Sequence, residues 1–364
     1  MRQARDKTIT ADAEINTIGA KSMEFSIPIS VVMSTYNTEI KMLQQAVESI
    51  LSQTFREFEF LIIDDGSTDE SADYLNSLQD ERIRLIRNPV NIGLTKSLNI
   101  GLKAAMGKYI ARMDSDDIAL PQRFEKQYAY MEAHPDVILC GTRVSFFDID
   151  PSLPVGTSQA VSSDMEEYRI LMLFRNPGPY HPTAFFRHET LLEHHVMYDE
   201  SLVYAQDYGM WETISHLGQV YILKDILLYY RRHEKQISIE HKEKQFQCDK
   251  EVKRRQLNAL LGNVTEEELE LHFVHSSTYY PRAVINPEIA DWYARLLKAN
   301  KKKHIYRHRK LKLRIQKVKI RLVYKAVHFM ELSKAEKMRL YLRYIPLLYL
   351  PAVIVKFHIM DKRG

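Results

Sequence analysis

Apolar residues in the first two thirds of the chain switch between two spacings, near-continuous runs and then a period of three to four. Ile29–Met33 reads as a strand, and from Glu39 onward Leu43, Val47, Ile50 and Leu51 share one side of a helix. Phe58–Ile63 returns to strand and Arg82–Ile86 predicts a third. Leu94–Met106 predicts a helix with Leu94, Leu98, Leu102 and Ala105 on one face, followed by a fourth strand, Tyr109–Met113. Strand and helix recurring at this interval make successive βα units, so the expected class is α/β: a Rossmann-like, mostly parallel sheet with helices on both faces. Further on, Pro121–His134 predicts a helix and Val137–Cys140 a buried strand, while Phe146–Ser163, with Pro151, Pro154 and Gly156, reads as a loop. Asp164–Phe174 reads as helix, Pro177-Gly178-Pro179 as a break, and Thr183–Phe186 as a short strand. Beyond about Ile239 the pattern is helical and charged, dividing the chain into a flexible arm (1–25), a sheet-bearing domain (26–238) and a helical C-terminal region (239–364).

Ligands of such a sheet collect beyond the carboxyl ends of its strands. There the sequence puts Ser34-Thr35-Tyr36-Asn37, Asp64–Asp69 and Asp114-Ser115-Asp116-Asp117, three polar clusters that adjacent strands would gather into one crevice. The last has three carboxylates in four residues. They repel one another unless a cation intervenes, and hard cations such as Mg²⁺ or Mn²⁺ choose oxygen ligands and share themselves with phosphates. Asp64-Asp65-Gly66-Ser67 offers acceptors for the N–H of a base, with Gly66 permitting a tight turn.

Composition narrows the classes. With 364 residues, 45% hydrophobic and 27% charged, the chain has matter for a sizeable core, which excludes disulfide miniproteins and disordered tails. Two cysteines, Cys140 and Cys248, fit a reducing compartment, so a cytoplasmic location is expected. Met1–Phe25 lacks the apolar core of a signal peptide, and Tyr344–Val355, broken by Pro346 and Pro351, is far short of the roughly 20 residues that span a bilayer. The formal charge of +4 conceals +17 from Lys298 onward and −13 before it.

Five segments in order, Ile29–Asn37, Ala46–Thr54, Asp64–Asp69, Asn91–Leu94 and Gly107–Asp117, closely resemble the family-two inverting glycosyltransferases of the A-type fold. Dense similarity covers about Pro28–Arg123 and thinner similarity continues to about Ser238. The resemblance implies that Ser34 and Tyr36 line the nucleotide pocket and that Asp65 hydrogen-bonds the base, usually uracil. It makes Asp114 and Asp116 the diphosphate-and-metal motif, with Asp117 beside them. Relatives often carry Arg before the Asn at position 99; here Leu98 stands there, and Lys96 is the substitute phosphate contact. Tyr204–Trp211 resembles the family's segment with a Glu-Asp pair, but Gln206 replaces the Glu, leaving Asp207 as the base that takes the acceptor's proton. Asn176–Arg187, with His181, resembles a loop near the donor sugar, and Tyr230–His233 with Gln236 and Ser238 resembles the segment closing over the diphosphate. There Arg231 would meet phosphate and His233 would complete the shell of a divalent metal, Mn²⁺ or Mg²⁺.

The implied activity moves a sugar from a nucleotide-diphosphate donor to a lipid-linked or growing glycan. A nucleotidyltransferase would need an early Gly-rich basic loop, and Val31–Glu39 has neither glycine nor a basic residue. An inert nucleotide-binding scaffold is the alternative from another class. In the tail, Leu311, Ile315, Val318 and Leu322 form an apolar stripe flanked by Lys310, Lys312, Arg314, Lys317, Lys319 and Arg321. That suits a helix lying on anionic lipid, peripheral to the inner face of a cell membrane, or else packed on the body; nucleic acid is not the expected partner, since no binding module accompanies the charge.

Overall fold

The computed structural model describes residues 25–159, 163–234, 236, 241–276, 286, 288–329 and 333–345. The N-terminal arm up to residue 24, Ser238, the expected boundary at 238–239 and the apolar run beyond residue 345 lie outside the described residues. The elements run β1 (Ile27–Thr35), α1 (Ile40–Leu51), β2 (Phe58–Asp64), α2 (Glu70–Ser77), β3 (Ile83–Arg87), α3 (Leu94–Ala104), β4 (Gly107–Asp114), β5 (Ile118–Ala119), α4 (Arg123–Ala133), β6 (Val137–Phe147) and β7 (Gly156–Thr157). There follow α5 (Met165–Met172), a 3₁₀ turn at His181–Thr183, β8 (Phe185–Arg187), α6 (His188–Glu193), α7 (Gln206–Ser215) and β9 (Gln219–Arg231). The C-terminal part is helical: α8 (Lys242–Leu261), α9 (Glu266–Ser276), α10 (Ile289–Lys303), α11 (His308–Phe329) and α12 (Lys334–Tyr344).

One sheet in the order β3-β2-β1-β4-β8-β6-β9-β5, with β7 on β6, organises the molecule. The strands β3, β2, β1 and β4 are mutually parallel, and β6 and β9 are parallel; β8 joins the two sets by antiparallel pairing to β4 and β6. Strand β2 is buried along its whole length and β1 from Ile29 on, which is why these segments read as continuous apolar runs. One face packs Leu43, Val47 and Ile50 of α1 and Phe124 of α4 on Val31, Phe60 and Tyr109. The other packs Leu98 of α3, Leu191 of α6 and Trp211 of α7 on Val32, Ile63 and Ile110.

Two expectations are corrected, and two elements are added to those foreseen. The segment from Phe146 is not all loop: β6 continues through Phe147 because β9 pairs with it residue for residue, and Gly156–Thr157 folds back as β7. Neither α2, short and polar, nor the two-residue β5, which exists only as a partner for Leu228 and Tyr229, was visible in the apolar spacing. The stripe Leu311, Ile315, Val318 and Leu322 does not face outward: all four are buried in a third core with Ile170, Leu173, Leu257, Tyr293 and Leu296. Lys310 pairs with Asp164, and Arg314 meets Glu167 at 3.0 Å, so α11 docks its basic side on the acidic first turn of α5. Among the described residues no helix is long and apolar enough to cross a membrane.

Where β4 begins, a Cβ on Gly107 would lie 2.4 Å from the Ser30 amide nitrogen and 2.6 Å from the Ile29 carbonyl carbon. Backbone cannot yield there as a side chain would, so Gly107→Ala is expected to destabilise by at least the about 1–3 kcal/mol of ordinary overpacking, read as a lowered urea midpoint. An unchanged midpoint would show that β1 and β4 have room to part.

Candidate active site

Because β2, β1 and β4 are neighbours, the three polar clusters do share one end of the sheet. Hydrogen bonds lace them together. Thr38 Oγ1 lies 2.9 Å from both Thr35 Oγ1 and Ser115 Oγ, the Asn37 amide donates to Ser67 Oγ (3.0 Å), and Thr68 N–H donates to Asn37 Oδ1 (2.9 Å). Ser34 is buried at the end of β1, while the Tyr36 ring stands 46% exposed over the crevice. Asp64 is structural: it accepts from Ser67 N (2.9 Å) and from Arg87 Nε (2.7 Å). Asp65 is buried and accepts from Asn88 Nδ2 (2.8 Å), Ile92 N (3.0 Å) and Gly93 N (2.8 Å), which ties the 88–93 loop to the floor of the pocket. Gly93 and Gly66, at φ +93° and +79°, provide the left-handed backbone this arrangement requires.

The acidic turn follows β4. One ligand atom each from Asp114, Asp116 and Asp117 lies within 4.8 Å of the others. Asp117 is fully buried; its Oδ1 accepts from the Arg231 amide at 2.8 Å, and its Oδ2 has no partner among the described residues. Burial, then the charges of Asp116 and Asp114, pushes the Asp117 carboxyl well up; burial also raises that of Asp114, against the pull of Arg112. Oxygen donors at this density, one of them orphaned in the interior, suit a hard divalent cation. His233 Nε2 sits 2.9 Å from Asp116 Oδ2, so the segment after β9 does reach the turn. Arg231 is buried, with Nε donating to the Asp116 carbonyl (2.8 Å), Nη2 to Gln45 Oε1 (2.6 Å), and its guanidinium 4.5 Å from the Phe147 ring centroid.

Sequence reasoning did not single out Arg112. Two residues before Asp114 on the same strand, it shares that residue's side of the sheet and forms an ion pair with it, and it is 97% removed from solvent, at 3% exposure. Its Nε and Nη1 have no partner among the described residues. Besides its ion pair with Asp114, its charge is felt by Asp117, Tyr198, His181 and Asp207. The signal was present in the two-residue period of β4, but a charge in a buried strand has no meaning until its neighbours are known.

Asp207 lies in the first turn of α7, with Oδ1 accepting from the Tyr208 amide (2.7 Å) and Oδ2 from Asn176 Nδ2 (2.9 Å). Asn176 Oδ1 in turn accepts from Gly178 N at 2.9 Å, so one amide side chain fixes both the carboxylate and the loop leading to His181. His181 Nε2 lies 2.8 Å from the Tyr198 hydroxyl, and burial, reinforced by Arg112, holds its ring well below the usual histidine range. Gln206 is buried with Oε1 unpartnered among the described residues. Lys96 is exposed on α3, and Leu98 is core.

A family model described as Glycosyl transferase family 2 matches residues 30–195. The chain is 32% identical over 245 residues to an uncharacterized glycosyltransferase of Haemophilus influenzae, covering 65% of this chain and 75% of the relative. It is 34% identical over 211 residues to the amylovoran biosynthesis glycosyltransferase AmsE of Erwinia amylovora, covering 56% and 75%. Among solved structures, residues 1–349 of S. aureus TarS in complex with UDP-GlcNAc superpose with a TM-score of 0.55 at 18% identity, covering 86% of this chain and 89% of that one; the two share the fold.

Burial raises the Asp207 carboxyl above its ordinary range, and the Tyr208 and Asn176 donors oppose that rise by favouring the charged form. Asn176→Ala removes one donor, so the Asp207 titration, followed by carboxyl ¹³C NMR, is expected to move further up in pH. An unmoved titration would disconnect Asn176 from that ionisation.

Proposed function

The chain belongs to glycosyl transferase family 2, and from that membership we propose that it transfers one sugar, with inversion, from a nucleotide-diphosphate donor, a UDP-sugar, to a hydroxyl of a lipid-linked or growing glycan. The observation that supports the reading most is the oxygen-rich acidic turn after β4, where Asp114, Asp116 and Asp117 bring ligand atoms within 4.8 Å of one another and His233 Nε2 lies 2.9 Å from Asp116. In this reading Ser34 and Tyr36 line the nucleoside pocket, Asp65 offers its carboxylate to the base, and Asp114, Arg231 and Lys96 serve the diphosphate. A divalent cation, Mn²⁺ or Mg²⁺, would be held by Asp116, Asp114 and His233, and when bound it supplies Lewis-acid stabilisation of the departing diphosphate.

The chain's own residues supply the rest. Asp207 takes the proton of the acceptor hydroxyl as the new bond forms between that oxygen and the anomeric carbon. The bond from that carbon to the diphosphate breaks, and its electron pair leaves with the nucleoside diphosphate. Burial makes Asp207 a stronger base than a solvated carboxylate, and its two donors hold it in place. Kinship with AmsE supports a place in polysaccharide biosynthesis.

Binding and chemistry separate in one paired experiment. Asp116→Asn should weaken Mn²⁺ binding in calorimetry together with nucleotide affinity. Asp207→Asn should keep nucleotide affinity near wild type and lower turnover about 10²–10⁴-fold, the range of positioned proton transfer. Full turnover in excess EDTA would remove the metal from the reading; full turnover in the Asp207 variant would move the base, with Glu212 the nearest carboxylate in sequence. Absence of nucleoside diphosphate release from any nucleotide sugar would favour an inert scaffold.

We further propose that the protein sits peripherally on the cytoplasmic face of a bacterial membrane. With its apolar stripe buried, α11 cannot lie on lipid through Leu311 or Ile315; attachment falls to exposed Lys301, Lys302, Arg309 and Lys312 beside exposed Leu313, and to Lys334 and Arg339 beside Met338 and Leu342. Each basic residue near an anionic leaflet contributes about 1 kcal/mol, screened over roughly 8 Å at physiological salt and 3 Å at 1 M. Sedimentation with anionic vesicles should therefore fall steeply as salt rises. Equal binding to neutral vesicles would assign the tail to packing alone.

A further inference from the structure

Between α5 and α11 lies a cleft of about 220 Å³ that the transfer reaction described above does not use. Glu167 and Ile170 line it from α5, and Lys310, Leu313, Arg314 and Lys317 from α11. Lys310, Arg314, Lys317 and, one turn further, Arg321 stand at i, i+4, i+7 and i+11, so α11 carries four cations in one row beside its buried stripe. Carboxylates answer only part of this charge. Lys310 pairs with Asp164, while Glu167 serves two cations, Arg314 at 3.0 Å and Lys317 at 3.8 Å. Glu166, the other acid of that turn, is taken by the Arg307 amide. Arg321 Nη2 has a neutral partner, the Ser276 carbonyl at 2.9 Å.

A fifth cation adds to the row. Arg175, just after α5, is exposed and has no ion pair or side-chain hydrogen bond among the described residues. Its charge reinforces the burial that works against the Arg314 and Arg321 cations, while Glu167 favours the former. Like charges gathered in a partly covered space repel until an anion enters, which is the situation of the acidic turn with the sign reversed. The lining narrows what that anion is. Guanidinium forks and a lysine match the oxygens of a phosphate. Ile170 and Leu313 add an apolar wall, which an inorganic ion would leave uncovered and a hydrocarbon chain would cover. Leu313, 48% exposed, also belongs to the surface through which the tail is proposed above to meet a membrane, so a lipid headgroup has a route to the cleft.

We propose that this cleft binds the phosphate of a lipid, with Arg314, Lys317 and Arg175 on the phosphate oxygens and the first carbons of the chain against Leu313 and Ile170. This deepens, and rests on, the reading of a protein that works against lipid; the phosphate belongs to a bilayer phospholipid or to a lipid-linked acceptor. The full chain is titrated calorimetrically, without vesicles, with dihexanoyl phosphatidylglycerol and with farnesyl phosphate, each below its micelle concentration, and with farnesol and inorganic phosphate as controls. Saturable binding of at least one lipid phosphate, about tenfold tighter than both controls, is expected. Preference for the first assigns the cleft to bilayer phospholipid, and preference for the second to a lipid-linked acceptor. Lys317→Glu and Arg175→Gln alter exposed side chains and should keep the circular dichroism of the wild type; each should weaken the lipid phosphate about tenfold, the worth of one charge-assisted contact. Lys41→Glu, exposed on α1 across the sheet, should bind as the wild type does. Equal affinity in the wild type and both cleft variants would overturn the proposal, as would farnesol binding as tightly as farnesyl phosphate, or no binding of either lipid phosphate. The membrane reading fails separately, when the full chain stays in the supernatant with anionic vesicles at low salt, whatever these soluble ligands do.

Discussion

Three aspartates whose oxygens lie within 4.8 Å cannot all be ionised in a protein interior unless positive charge is built in beside them, and much of the remaining structure answers that requirement. Arg112 enters from within β4 and pairs with Asp114; Arg231 arrives from the end of β9, giving its amide to Asp117 and its side chain to the Asp116 carbonyl. Placing these two arginines fixes the sheet. Arg112 needs β4 at its centre, and Arg231 needs β9 to run parallel to β6 as far as Phe147, so that its guanidinium rests on that ring. The two sources of charge are not equivalent. The charge of Arg112 is also felt by Asp207, His181 and Tyr198, whereas Arg231 is hydrogen-bonded to the turn itself.

How much of this can be read from sequence depends on whether a residue's role is set locally. The strands β1, β2 and β4 are buried on both faces and announce themselves as apolar runs, and the polar residues at their ends could be placed at one edge of the sheet from strand order alone. The turn at Asp114–Asp117 was legible because three acidic residues in four need an explanation wherever they occur. Asp117 reading as buried was not, since its partner's amide lies 114 residues away. Arg112 was passed over for a related reason: in the apolar spacing it is an interruption, and its value comes from Asp114, His181 and Asp207, which three different elements supply. Likewise β5 and the outer half of β6 are strands by virtue of β9, which no periodicity records.

The C-terminal helices show the same limit from the other side. Leu311, Ile315, Val318 and Leu322 do form an amphipathic stripe, but a stripe states only that something apolar covers it. The sequence held a clue to what: Asp164, Glu166 and Glu167 cluster at the start of α5, and the basic flank of α11 lands on them through Lys310, Arg307 N–H and Arg314.

The strand order also bears on the sequence of events during synthesis. Strands β3, β2, β1 and β4 come from one continuous stretch, 27–114, so this half of the sheet can close while later residues are still emerging. Parallel pairing of β6 with β9, Val137 against Gln219, closes a loop much like that of β1 with β4, Ile27 against Gly107, but its second strand emerges later. Until Arg231 arrives, Asp117 has neither its amide donor nor its cover, and the turn stays hydrated and open. The end of the sheet that carries the acidic turn is thus completed last, and a nascent chain holds the polar ends of β1 and β2 before the turn after β4 is covered.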